Sequence, residues 1–136
     1  MAALSVGGGF PLTARAANTT IPKVLRGTYY SHHYVNHRWT VMTLTAHTAR
    51  IRQQGKAGTA FTAHARSVTK RLVYTGSPKH FQLAAPTLTM AQSPFPEGGM
   101  ALKTRRIGGK TYHVIRGYGA SGGHADFVRG HKLNRF

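Results

Sequence analysis

The sequence predicts an α+β protein: one small helix, then an antiparallel hairpin or three-stranded module, with long irregular basic extensions at both ends. Three observations carry that expectation. Apolar residues recur at Phe61, Ala65, Val68 and Leu72, spacings of four, three and four that stack on one helical face. From Leu72 to Thr75 the residues change to types that favour a pleated strand, and Gly76-Ser77 reads as the turn that closes it. On either side, sixteen glycines and six prolines in 136 residues limit how much regular core can form.

On this reading residues 1–58 form an N-terminal basic extension, 59–116 a helix–hairpin module with an inserted loop at 82–100, and 117–136 a Gly-rich basic tail. Residues 1–27 hold no acid, carry Arg15, Lys23 and Arg26, and are rich in Ala, Ser and Thr, which are features of a mitochondrial targeting region. Gly7-Gly8-Gly9 and Pro11 weaken the amphipathic helix such a region needs.

The stretch from Tyr29 to Trp39 interleaves aromatics, histidines and Arg38. Rings and guanidinium planes stack on unpaired bases, so Arg38 and Trp39 are candidate RNA contacts; the plainer alternative is a small apolar cluster with its histidines facing solvent. His33 and His37 lack a third ligand nearby and make a poor metal site. Trp39 to Thr45 reads as a short strand or a buried segment. Ala46 to Gln54 reads as a helix that Gly55 stops, with Ile51 inward and Arg50 and Arg52 outward.

Thr59 is placed to cap the principal helix, whose polar arc would hold His64, Arg66, Lys70 and Arg71. Between Gln82 and Met100 there is no Lys or Arg; Pro86, Pro94 and Pro96 rule out a long helix and Glu97-Gly98-Gly99 reads as a turn. Beyond it Lys103, Arg105 and Arg106 restore the charge, Gly108-Gly109 turns the chain, and Thr111 to Arg116 reads as a strand. Cations flanking a bare glycine turn make a phosphate grip. Gly117-Tyr118-Gly119-Ala120-Ser121-Gly122 matches the dinucleotide-binding glycine pattern, but fourteen residues follow it, too few for the helix and strand that complete that unit.

Nineteen Lys and Arg face two acids, Glu97 and Asp126, for a formal charge of +17. So few carboxylates cannot neutralise the cations internally, and a polyanionic partner resolves the repulsion. The charge is dispersed along the chain, which suits RNA touched from several sides better than a lipid surface read by one basic cluster. There is no cysteine, hence no disulfide frame and no thiolate metal site. No apolar run is long enough to span a membrane as a helix. With two separated carboxylates and no Gly-x-Ser-x-Gly elbow, no catalytic residue, metal, cofactor or small-molecule substrate is expected.

The pattern Arg66-Ser67-x-x-Lys70-Arg71-Leu72-x-x-Thr75-Gly76-Ser77-x-Lys79 resembles the start of the bacterial-type large-subunit ribosomal protein thirty-five family. It departs in Leu72 for the usual aromatic, Val73 for a usual lysine and Pro78 for a usual glycine, and the likeness covers about fifteen residues. It implies a small α/β module buried in large-subunit ribosomal RNA, without a catalytic role, beside neighbouring large-subunit proteins. Family members of bacterial type begin near this motif, so the long preceding extension implies an organelle, the mitochondrion first. The expected RNA contacts are Arg66, Ser67, Lys70, Arg71, Lys79, His80, Arg105, Arg106, Lys110 and Arg116, together with Arg38 and Trp39. The mechanism would be phosphate neutralisation and shape fitting. The alternatives are a basic accessory subunit of a mitochondrial inner-membrane complex and a small DNA-compacting protein.

Overall fold

A computed structural model describes residues 19–33, 38–53, 60–67, 70–85, 94–120 and 122–133. They form nine strands: β1 (Gly27–His33), β2 (Arg38–Leu44), β3 (Thr48–Gln53), β4 (Phe61–His64), β5 (Val73–Ser77), β6 (His80–Ala84), β7 (Met100–Ile107), β8 (Lys110–Tyr118) and β9 (His124–Arg129). All belong to one curled sheet, a half-barrel, in the order β4-β3-β2-β1-β9-β8-β7-β6-β5. Every ladder is antiparallel, including the β1–β9 pair that joins the two halves of the chain.

Strand number explains why the sheet stays open. Alternating directions around nine strands leave β4 and β5, the two edges, pointing the same way. Parallel neighbours need a crossover of about a dozen residues or more, and residues 65–72 are too few. Among the described residues the edges meet only at one parallel bridge, His64 to Arg71.

Period-two alternation builds the interior. Met42 and Leu44 of β2, Ala49 and Ile51 of β3, Ala63 of β4, Phe81 and Leu83 of β6, Ile115 of β8 and Phe127 of β9 all turn inward and are buried. Burying each large apolar side chain contributes about 1.5–3 kcal/mol. A 3-10 turn, Lys23–Leu25, closes one end by burying Leu25, with Ile21 beside it. Tyr29 locks this plug: its hydroxyl donates to the Leu25 carbonyl at 2.8 Å and accepts from Arg129 Nε at 3.0 Å. Arg129 also donates to the Val24 carbonyl. Burial pushes the Tyr29 hydroxyl pKa up, against the opposing pull of Arg129. At the other end Phe95 is buried edge-on against Phe61, ring centroids 6.1 Å apart.

The α+β expectation is overturned, for no α-helix occurs among the described residues. The expected helix from Thr59 is instead β4 followed by turns; Thr59, Val68 and Thr69 themselves lie outside the described residues. Its helical spacing was fortuitous. Phe61 and Ala63 alternate with Thr62 and His64 as a strand does, and pairing with β3 outweighs the weak stability of so short a helix. The helix expected over 46–54 is β3, where Arg50 and Arg52 face out and Ala49 and Ile51 face in, an alternation that fits period two.

The irregular extensions are corrected as well. The N-terminal one supplies β1 to β3. The C-terminal one supplies β9, which sits between β1 and β8 near the middle of the sheet. The expected hairpin is present, but Ser77 pairs with His80, so the chain turns at Pro78-Lys79 rather than at Gly76-Ser77. Gly76 is required for another reason: its φ is +97° and a Cβ there would lie 2.3 Å from the His80 carbonyl oxygen. The inserted loop is shorter than expected, because Gln82 to Ala84 belong to β6 and Met100 begins β7. No helix among the described residues is long and apolar enough to cross a membrane.

Candidate nucleic-acid interface

Four of the expected contacts, Arg66, Ser67, Lys70 and Arg71, converge in the connection between β4 and β5. There they form a tight loop at the seam instead of a helical face. His64 is its anchor. The His64 N–H donates to the Lys70 carbonyl at 3.0 Å, and its own carbonyl accepts from Ser67 N–H at 3.0 Å and Leu72 N–H at 3.1 Å. The ring joins in, with Nδ1 accepting the Arg66 N–H at 3.0 Å. The Ser67 hydroxyl accepts the Lys70 N–H at 2.9 Å, so its part is to shape the loop. The Arg66, Lys70 and Arg71 side chains are exposed, and Lys70 Nζ lies 5.4 Å from the Phe61 ring centroid.

A second basic feature is the β7–β8 hairpin. Its outer neighbours stop short: β9 pairs with β8 only from Val114 onward, and the β5–β6 turn reaches β7 through Leu102 N–H to the Pro78 carbonyl, 2.7 Å. Residues 103–113 therefore project as a two-stranded ribbon carrying Lys103, Arg105, Arg106 and Lys110. Gly108 and Gly109, with φ of +57° and +85°, supply the two-residue turn, where both central residues need positive φ to match strand twist. Lys79 and His80, in and after the β5–β6 turn, are exposed beside the base of this ribbon.

Two expected phosphate contacts are committed elsewhere. Asp126, its side chain fully buried, accepts from Arg116 Nε at 2.8 Å and from Arg105 at 2.7 Å, with a further Arg116 bond at 3.1 Å. Burial alone would push the Asp126 carboxyl up, but the two guanidiniums more than offset it and hold the pKa below the usual carboxylate value. The Arg116 pKa is raised in turn, chiefly by its hydrogen bond to Asp126. This cluster stitches β7, β8 and β9 together on the outer face.

The outer face of β1 and β2 carries the aromatic stretch. His32 lies opposite Trp39 with ring centroids 4.8 Å apart, and Tyr30 meets Trp39 edge-on at 6.5 Å. Lys132, from the segment after β9, places Nζ 5.4 Å from the Tyr30 ring centroid and 5.8 Å from that of Trp39. His131 packs edge-on against Tyr112. The rings thus form a half-buried strip with a cation already over it. The Arg38 side chain and residues 34–37 lie outside the described residues.

Sequence reasoning missed His47 and Lys132 as contributors, and it read the outward pair Arg50 and Arg52 on a helix. Reading 48–53 with period two would have put both arginines on one strand face. The contribution of His47 depends on tertiary pairing and left no local signal.

Topology gathers these pieces. The 3-10 plug, the β2–β3 turn, the end of β4, the β7–β8 tip and the segment after β9 all lie at the same end of the strands, and they carry Lys23, Arg26, His47, Arg66, Arg106, Lys110 and Lys132. The β5–β6 turn with Lys79 sits further along β7, where Leu102 N–H reaches the Pro78 carbonyl. Among the described residues, the connections at the opposite end hold Glu97 and no Lys or Arg; Lys56 of the β3–β4 connection lies outside the described residues. With Asp126 buried against its arginines, neither acidic side chain faces the basic end. Among the described residues no group of three side chains could ligate a metal ion. No protein-family model, curated protein or solved structure matches the chain.

Proposed function

We propose that the protein is a structural nucleic-acid-binding protein that grips phosphate backbones with the basic end of its sheet. The observation that carries this reading is the gathering of basic turns, distant in sequence, at one end while both acids lie elsewhere. Cations arranged in this way bind by releasing counterions from the polyanion, with affinity that falls steeply with salt. Arg66, Lys70 and Arg71 at the seam and Arg106 and Lys110 on the ribbon are the contacts; Arg105 and Arg116 position the ribbon through Asp126. The narrower form of the proposal, ribosomal RNA of the mitochondrial large subunit, has its support in the Arg66–Lys79 motif alone, since the helix that motif implies is replaced by β4 and a loop.

The projecting ribbon favours a second reading, duplex DNA binding, because a two-stranded β-ribbon fits the major groove of B-form DNA, whereas the corresponding groove of RNA duplexes is deep and narrow. Gradient sedimentation with and without RNase, paired with anisotropy titrations on RNA and duplex DNA over a salt series, separates the two. Co-migration with large subunits that RNase abolishes supports the ribosomal form. Preferential, salt-sensitive binding of duplex DNA supports the second. Salt-independent affinity for both polymers would overturn the proposal.

A further inference from the structure

We propose that the hollow beside the end of β4 is a site for the phosphate of a nucleotide, a deeper claim that rests on the polyanion reading above. The hollow has a volume of about 390 Å3 and is lined by Thr19, His47, His64, Ala65 and Arg66. That volume lies toward the small end of the ~300–1,000 Å3 typical of small-molecule sites, and corresponds to about a dozen waters' share of liquid. It gives room for a phosphate with its sugar.

Three segments build the wall, and backbone bonds fix them to one another. Ala65 N–H donates to the His47 carbonyl at 2.8 Å, tying the end of β4 to the β2–β3 turn, and Ile21 N–H donates to the Ala46 carbonyl at 2.9 Å, tying the segment that bears Thr19 to the same turn. The Arg66 N–H donates to His64 Nδ1 at 3.0 Å. With Nδ1 accepting from the backbone, the His64 ring has Nε2 left to donate. The wall therefore combines an imidazole donor, a guanidinium fork, a second imidazole and a hydroxyl, with no carboxylate. That lining matches phosphate oxygens, which accept several charge-assisted bonds at once. A metal ion is the competing occupant of two imidazoles, but the Arg66 guanidinium opposes a cation and no third ligand joins them among the described residues.

The nucleotide could come from the end of a bound strand or free from solution, and the experiment separates these sources. The full chain, carrying isotope-labelled histidine, is titrated with uridine 5′-monophosphate, with uridine, and with oligouridylates bearing a 5′-phosphate or a 5′-hydroxyl. The monophosphate is expected to shift the side-chain resonances of His47 and His64 while uridine leaves them in place. Arg66→Gln and His47→Gln, both at exposed positions, should each weaken the monophosphate about tenfold, the size expected for one charge-assisted hydrogen bond. Lys110→Gln, on the ribbon, should leave it unchanged while weakening the oligomers.

Tighter binding of the 5′-phosphorylated oligomer than of the monophosphate assigns the site to a strand end. Equal affinity assigns it to free nucleotide. If the oligomers bind in a salt-sensitive way while millimolar monophosphate leaves both histidines unmoved, the site is overturned and the polyanion reading survives. If the monophosphate binds at these histidines and no oligomer binds at all, the site stands and that reading falls.

Discussion

Replacing Asp126 by Asn tests whether one buried carboxylate holds the centre of the sheet. The substitution keeps the shape and removes the charge that Arg105 and Arg116 share across β7, β8 and β9. Breaking a buried ion pair by deleting one partner costs about 3–5 kcal/mol when the other charge is stranded. Here the stranded charges are partly wet: the Arg105 and Arg116 side chains keep 34% and 25% exposure, against 0% for Asp126. Rehydration of the guanidiniums brings the expected cost down to about 2–3 kcal/mol. For a chain of this size that is a fall in Tm of roughly 6–15 °C.

Thermal melts followed by circular dichroism at neutral pH measure the loss, and a pH series identifies its origin. The folded-state pKa of Asp126 is depressed, so its stabilisation is fully present above the unfolded value of about 3.9 and is lost as pH falls through the lower folded value. The only other acidic side chain, Glu97, is exposed. Wild type and Asp126→Asn should therefore converge in Tm below the carboxylate range. A neutral-pH difference under about 0.5 kcal/mol, the size of an ordinary surface change, or a difference that persists undiminished in strong acid, would refute the reasoning.

Other substitutions probe separate links. Gly76→Ala should destabilise by at least 1–3 kcal/mol, the usual cost of a strained backbone, because the added Cβ meets the His80 carbonyl at 2.3 Å; chemical denaturation reads the midpoint shift. Tyr74→Phe should leave stability unchanged or raise it by about 1 kcal/mol, since the buried hydroxyl has no hydrogen-bond partner among the described residues, and a loss above that size in the same assay would reveal a partner. Lys70→Glu with Arg71→Glu should lower RNA affinity and flatten the salt dependence by about 1.4 in slope on single strands, two phosphate contacts' worth, with little change in Tm; an unchanged slope by anisotropy would remove the seam loop from the interface.

How much was legible depends on whether a residue's role was local. Strand character in β2, the β5–β6 hairpin and β8 could be read because alternation and turn residues lie within each segment. Reading β3 and β4 as helices failed for a common reason: Ile51 between Arg50 and Arg52, or Phe61 four residues before Ala65, satisfies either period over so short a span. The decision belongs to the β3–β4 ladder, which is tertiary. β9 was hidden by glycines at 117, 119, 122 and 123, which read as a loose tail but bracket a turn, with Gly119 N–H bonded to the Gly123 carbonyl at 2.7 Å. Asp126 showed in sequence as a scarce acid, yet that it would take Arg105 and Arg116 out of the phosphate-binding set required the β7–β8–β9 register. The Arg66 to Arg71 cluster was legible as charge; its meeting with His47 was not.

Parity joins the fold to the site. A meander of nine strands cannot close with antiparallel ladders throughout, so one junction must be parallel or left unmade, and here it falls between strands consecutive in sequence. Eight intervening residues fall short of the dozen or more that a parallel crossover takes, and beyond the His64–Arg71 bridge the facing edges of β4 and β5 have no ladder between them. Unpaired edges invite pairing with another chain, and proteins commonly defend them with charge. Arg66, Lys70 and Arg71 occupy that junction with no acidic side chain to quiet them, so a second copy approaching edge to edge meets like charge. The same three cations that repel another copy attract a polyanion. On this view the seam is both the fold's weak line and its binding edge, because one unpaired junction creates the need for charge and the place to display it.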